Sequence, residues 1–184
     1  MRPQHDPPPA DLHFRPLTRA DFPRLLDWLT TPHVAEWWLP VPAGMAELEA
    51  HYGPTIDRTD PTEMFVIEVD HEPIGLIQRY LHVDNPEWDR AVDVPLAAGI
   101  DYLIGPVEYC GRGLGSAAIR AFAATVFDRY PAIRTVVAVP QKENPASCRA
   151  LEKAGFTAVR EGELDTDDPS DAGISVIYVL ARAD

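Results

Sequence analysis

The chain is 184 residues long and 46% hydrophobic, enough to build one domain around a sizeable core. No run of about 18 uncharged apolar residues occurs, which argues against a membrane span. A formal net charge of −13 disfavours nucleic acid, whose phosphates it would repel; it suits a cationic small molecule or basic peptide, and equally serves plain solubility.

Residues 1–11, proline-rich and polar with no apolar secretory core, read as a disordered or extended lead-in, and the expected location is the cytoplasm. Residues 12–184 read as a single domain. Cys110 and Cys148 lack metal-site spacing, so free thiols and no metal are expected. Leu12 to Leu17 alternates like a half-buried strand, which Pro16 limits to an edge or a strand end. Thr18 is a helix N-cap with Asp21 as its acidic partner, close to a capping box. Phe22, Leu25, Leu26 and Leu29 recur at helical spacing, and Trp28 widens the stripe. The pair Trp37-Trp38, ahead of the breakers Pro40 and Pro42, either packs on the core or lines an apolar, sugar-stacking wall. Ala43 to Tyr52 reads as a short helix stopped by Gly53-Pro54.

Glu63 to Val69 and Pro73 to Tyr80 flank the turn signal Asp70-His71-Glu72 and predict an antiparallel hairpin. Val83 to Val94, carrying Asp84 and Trp88, reads as an acidic loop, either a solvated connection or a surround for a polycation. Ala98 to Gly105 is a strand with Ile100, Tyr102 and Ile104 on one face and Asp101 and Leu103 on the other. Asp101 interrupts an otherwise apolar run. A buried carboxylate is costly, so this one is either tied to backbone donors or poised for chemistry with a raised pKa.

Tyr109 to Ser116 holds three glycines at alternate positions, Gly111, Gly113 and Gly115, and runs into an apolar helix. A tight turn at a helix start aims unpaired N–H groups outward and makes an anion cradle; a plain turn into a helix is the simpler alternative. The helix packs Leu114, Ala118, Ala121, Phe122, Thr125 and Val126, ending near Tyr130-Pro131. Ile133 to Val139 has the profile of a central strand buried on both faces. Asn144 and Pro145 start a helix to Lys153, with Gly155 as its stop. Phe156 to Val159 is a strand, Glu161 to Gly173 an acidic loop containing Asp168, and Ile174 to Leu180 the closing strand.

The order of elements, the Gly111-Arg112-Gly113-Leu114-Gly115 loop after a strand, and the run from Asn144-Pro145-Ala146-Ser147-Cys148-Arg149 to Phe156 together resemble the GNAT acyltransferase superfamily. Within it, Trp28-Leu29, Glu36-Trp37-Trp38, Glu72-Pro73-Ile74-Gly75, Gly99-Ile100-Asp101 and Glu152-Lys153-Ala154-Gly155-Phe156 look like the aminoglycoside 6′-N-acetyltransferases. The resemblance covers Leu12 to Leu180. It implies an α/β (α+β) fold, with a mixed, mostly antiparallel sheet flanked by helices and splayed where acetyl-CoA lies.

By that resemblance, Cys110, Gly111, Arg112, Gly113, Leu114, Gly115 and Ser116 would hold the CoA pyrophosphate, with Arg112 and Arg149 near phosphates and Asn144 and Ser147 also on the cofactor. Amides of Leu103 or Ile104 would bind the thioester carbonyl. Asp101 would take the amine proton directly or through water, and Trp37, Trp38, Asp84, Trp88 and Asp168 would join it in framing a cationic antibiotic. Three positions depart from the pattern. Leu151 stands where a tyrosine usually protonates the CoA sulfur, Val139 where the resistance enzymes carry Asp, and Cys110 where Gln or Arg heads the loop. The expected activity is acetyl-CoA-dependent N-acetylation of an aminoglycoside, at its 6′-amine, by a monomer or homodimer without nucleic-acid or membrane partners. The alternatives are a GNAT enzyme for another amine, such as a lysine-derived siderophore precursor or a protein N-terminus, and a non-catalytic acyl-CoA- or antibiotic-binding protein.

Overall fold

Alternating apolar residues set strand beside strand through the first half of the chain. The computed structural model describes residues 11–183. Strands β1 (Leu12–Pro16), β2 (Glu63–Val69), β3 (Glu72–Leu81) and β4 (Ala97–Ile104) pair antiparallel in that order. β5 (Thr135–Ala138) joins β4 in parallel; beyond it lies β7 (Ser175–Ala181), with β6 (Thr157–Gly162) at the edge. The β2–β3 hairpin turns on Asp70 and His71, both left-handed at φ 52° and 68°, as a turn matched to strand twist requires. The lead-in expected over residues 1–11 lies outside the described residues except for Asp11, whose carbonyl accepts from the Asp70 N–H.

The helices are α1 (Phe22–Leu29), α2 (Pro32–Ala35), α3 (Met45–Ile56), α4 (Pro86–Val92), α5 (Leu114–Arg129) and α6 (Pro145–Ala154). They cover both faces because successive strand residues point to opposite sides. On one face α5 and α6 pack Ile119, Phe122 and Leu151 against Ile67, Ile74 and Ile100. On the other, α1 and α3 pack Leu25, Leu29 and Leu48 against Val66, Leu76 and Leu103. Ile100 and Leu103 thus mark opposite faces of β4, as its alternation predicts. The mixed, mostly antiparallel sheet with flanking helices is the expected architecture.

Between β4 and β5 the sheet opens. The two strands pair only where Ala97, Ala98 and Gly99 oppose Thr135, Val136 and Val137, so Ile100 to Ile104 have no strand on that side. The Gly105 N–H donates to the Ile74 carbonyl at 2.9 Å. Antiparallel bonding alternates along a strand, so Leu103 also bonds toward β3, while Tyr102 and Ile104 turn their N–H groups into the split.

Several elements differ from expectation. α3 continues through Gly53-Pro54 to Ile56: a proline near a helix end removes one backbone bond, and the Asp57 N–H closes the last turn on the Gly53 carbonyl at 2.9 Å. The segment read as an acidic loop folds into a short 3-10 turn and α4. Asn85 caps this helix by accepting the Trp88 N–H at 3.3 Å, with Pro86 in the first turn. α5 buries Ile119 and Ala123 and leaves Ala121 exposed, its inner stripe running through Ala118, Phe122 and Val126. The strand expected over Ile133 to Val139 contracts to β5, and the one expected to end at Val159 runs on to Gly162.

Candidate active site

A cavity of about 680 Å³ opens on the β4–β5 split. Asp60, Asp84, Glu87, Asp101, Asp168 and Asp171 are among the residues lining it, and among the described residues no lysine or arginine does so. Such a wall favours a cationic ligand.

Asp101 lines the cavity from β4, paired with Gln78 of β3, whose Nε2 donates to Asp101 Oδ2 at 2.8 Å. Burial pushes its pKa up to about 6; the Gln78 hydrogen bond pulls it down, and the charges of Asp171 and Asp168 push it up. The carboxyl therefore changes protonation close to neutral pH, where a proton acceptor is useful. Two residues nearer the start of β4, a Cβ on Gly99 would lie 2.3 Å from the Tyr80 ring, so only glycine lets that ring cross the strand. Burial and the Asp101 charge hold the Tyr80 phenol well above its ordinary value.

Aromatic side chains and an acidic loop form the remaining walls. Trp37 and Trp38 follow α2, and the Trp38 Nε1 donates to the Tyr52 hydroxyl at 2.9 Å, which fixes the indole to α3. Trp88 comes from α4, whose C-terminal carbonyls at Ala91 and Val92 accept from Arg160 of β6 at 2.7 and 3.0 Å. The loop before β7 is tied by Ser170 to the segment after α2, and both line the cavity. The Ser170 Oγ accepts the Leu39 N–H and donates to the Leu39 carbonyl, each at 2.9 Å, while its own carbonyl accepts from the Gln141 amide. Asp168 accepts the Ser170 N–H at 2.8 Å, and Thr166 Oγ1 donates to Asp171 at 2.7 Å. Burial raises the Asp171 pKa, the Thr166 bond lowers it and the Asp168 charge raises it.

At the head of α5, Gly111 and Gly113 take φ 71° and 81°, and nothing lies within 4 Å of where a Cβ on either would sit. The Ala117 N–H is the first to bond within the helix, to the Gly113 carbonyl at 3.1 Å, leaving Leu114, Gly115 and Ser116 N–H groups without intrahelical partners. Open space above free amides at a positive dipole end is a seat for an anion such as a pyrophosphate. Arg112 is exposed with its guanidinium 5.9 Å from the Tyr109 ring centre, and Arg149 is exposed on α6. The Cys110 thiol is pushed up by burial and by Glu108, so it is no activated nucleophile.

Trp37, Trp38, Asp84, Trp88, Asp101, Asp168, Asn144 and Ser147 share the cavity lining. The loop Cys110 to Ser116, Arg149, Leu103 and Ile104 do not line it. Of the two amides expected at the thioester carbonyl, Ile104 faces the split and Leu103 faces β3. The Ile104 carbonyl is 2.9 Å from His33 Nε2. Leu151 is fully buried in the core beneath α6. Sequence reading missed Gln78, Tyr80, Tyr102 and Asp171. The polar residues Gln78 and Tyr80 at period two in an apolar strand were the available signal for the first pair.

The family model for the acetyltransferase (GNAT) domain matches residues 18–164. The aminoglycoside N(6′)-acetyltransferase type 1 of Klebsiella pneumoniae is 30% identical over 172 residues, 91% of this chain and 82% of the relative. The lysine N-acyltransferase MbtK of Mycobacterium tuberculosis is 29% identical over 167 residues, 86% of this chain and 73% of its own. Among solved structures, AAC(6′)-Ib in complex with ribostamycin and coenzyme A superposes with a TM-score of 0.81 at 27% identity, covering 94% of each chain. With most of its length matched by the family model, the chain belongs to the GNAT family and is an acetyl-CoA-dependent N-acetyltransferase.

Proposed function

We propose that the protein transfers the acetyl group of acetyl-CoA to an amine of an aminoglycoside, the 6′-amine, with Asp101 as the proton acceptor. The observation that carries this reading is an acidic cavity, with no lysine or arginine among the described residues that line it, that opens on a sheet split and has Asp101 on its wall. An ammonium has no lone pair, so the substrate must lose a proton before it attacks the thioester. Asp101 takes that proton, directly or through one water. The Ile104 and Tyr102 N–H groups are directed where the carbonyl oxygen gains charge, and they stabilise it in the transition state.

The residues present fit acetyl-CoA. Its pyrophosphate rests on the free amides of Leu114, Gly115 and Ser116 and on the open turn from Cys110 to Gly113. Arg112 and Arg149 reach its phosphates, and Asn144 and Ser147 border the pantetheine arm near the split. Trp37, Trp38 and Trp88 cover sugar faces while Asp84, Asp168 and Asp171 bind ammonium groups. A cytoplasmic location, where free thiols such as Cys110 and Cys148 stay reduced, belongs to the same reading.

A second acceptor class is favoured by a specific observation. Val139, where the resistance enzymes are expected to carry an acid, lines the cavity, and the lysine N-acyltransferase resembles this chain about as closely in identity. CoA release measured with kanamycin-type antibiotics, N-hydroxylysine and basic peptides separates the two. Turnover is expected with the antibiotics; no response to any of them, beside turnover with the lysine derivative, transfers the assignment to the second class.

A further inference from the structure

α6 offers the cavity no tyrosine, because Leu151 points into the core with 0% exposure. A different hydroxyl pair stands at the split. The Tyr102 hydroxyl and Ser147 Oγ are 2.7 Å apart, joining β4 to the first turn of α6, and both residues line the cavity. Ser147 is itself held, since the Asn144 side chain accepts its N–H at 3.1 Å. Tyr102 is the next residue after Asp101, so its side chain leaves the opposite face of β4. Its backbone N–H turns into the gap between. Carboxylate, N–H and phenol are therefore arrayed around one stretch of strand: one face, the gap and the other face.

We propose that Tyr102 is the proton donor to the departing CoA sulfur, with Ser147 as the positioning residue that holds its phenol. This rests on the acetyl-transfer reading of the site. As the C–S bond breaks, its electron pair goes to sulfur, and the Tyr102 O–H gives its proton to that thiolate. Asp101 has by then passed the first proton of the ammonium to solvent; it takes the second from the nitrogen after attack, and solvent in the cavity carries that proton back to the phenolate. Ammonium plus thioester thus becomes amide, thiol and one proton released to solvent. When Ser147 donates to the phenol oxygen, the phenol proton is free to point into the split. Burial holds the Tyr102 phenol above its ordinary value and the Ser147 bond draws it down, so the donor stays protonated at neutral pH.

Other hydroxyls and thiols nearby are less well set. Cys110 is exposed and sits on the loop, its Sγ 3.9 Å from the Pro106 carbonyl. Cys148 turns its thiol to the Gln141 carbonyl at 3.8 Å. Tyr109 precedes the glycine turn and does not line the cavity.

The test compares wild type, Tyr102→Phe and Ser147→Ala in two ways. One is the ultraviolet titration of the thiol of bound CoA, which needs no acceptor. The other is kcat and KM for acetyl transfer. Loss of a hydrogen bond to the thiolate is expected to move its titration up by roughly half a pH unit or more in Tyr102→Phe. That variant should lose about tenfold in kcat, less than a full general-acid effect because a thiolate leaves readily, with KM for acetyl-CoA kept within about twofold. Ser147→Ala should move both readouts the same way by less. A Tyr102→Phe protein with unchanged thiol titration and unchanged kcat, beside an active wild type, overturns the donor role. A wild type that binds CoA yet acetylates no amine overturns the acetyl-transfer reading instead, and the thiol titration still decides whether the phenol faces the sulfur.

Discussion

Asp101 is half-buried and His82 buried, and their environments push the two groups in opposite senses. Burial raises Asp101 to about 6, so kcat/KM should climb through about pH 6 as the carboxyl ionises. Asp101→Asn is predicted to lower kcat/KM at least about tenfold with acetyl-CoA affinity retained. Its effect on stability has the other sign. A carboxyl whose folded pKa exceeds its unfolded value favours folding below the unfolded pKa and loses that contribution as pH rises through about 6. Removing the charge should therefore raise Tm at pH 7, by the equivalent of roughly 1–3 kcal/mol. An inactive and less stable variant would point to a structural acid. His82, only 1% exposed and stacked 6.1 Å from Tyr80, is pushed down to about 4 by burial, with Asp89 pulling weakly upward. The unfolded chain then binds more protons between the two pKa values, so His82 costs stability as pH falls from its ordinary 6.5 toward 4. His82→Phe should flatten that acid limb in urea-midpoint measurements; an unchanged limb would mean other groups dominate it.

At the scale of elements, α4 and β4 set the cavity, and they differ in how readily the sequence disclosed them. Asn85→Ala removes the α4 cap and should cost about 0.5–2 kcal/mol, together with looser placement of Trp88, readable in denaturant midpoints and in indole fluorescence. Gly99→Ala should force the Tyr80 ring off β4 and weaken substrate binding more than acetyl-CoA binding; equal loss of both would mean the whole strand had shifted. β4 was legible because its alternation is local: Ile100 and Leu103 report its two faces within one strand. So were the caps at Thr18 and Asn144, each of which depends on residues three apart. α4 carried the same Asn-Pro start as α6, yet its acidity made it read as loop. Gln78 and Tyr80 were hidden for a different reason. Their roles depend on the β3–β4 register, a pairing of residues 23 apart in sequence for Gln78 and Asp101, which no local pattern states. The same register decides that Ile104 rather than Leu103 turns its amide into the split.

Across the whole molecule, negative charge and sheet topology converge on one place. The net charge of −13 is matched at the cavity by carboxylates from the α3–β2 connection, α4 and its approach, β4 and the loop before β7. Attraction of a polycation by charges open to solvent is screened by salt, so KM for an aminoglycoside should rise from low salt to about 0.5 M while KM for a singly charged amine changes less. Topology supplies the other half: one short parallel pairing, β4 with β5, ends after three residues and leaves the strand end carrying Asp101 open to a thioester. Which amine reaches it is tested most directly with a matched pair of aminoglycosides that differ only in an amine or a hydroxyl at the 6′ position, assayed for CoA release and for the acetylated product. The predicted result is turnover of the amine and, for the hydroxyl compound, no acetylated product. Equal acetylation of both, or of neither beside turnover of a lysine-derived amine, would contradict the assignment.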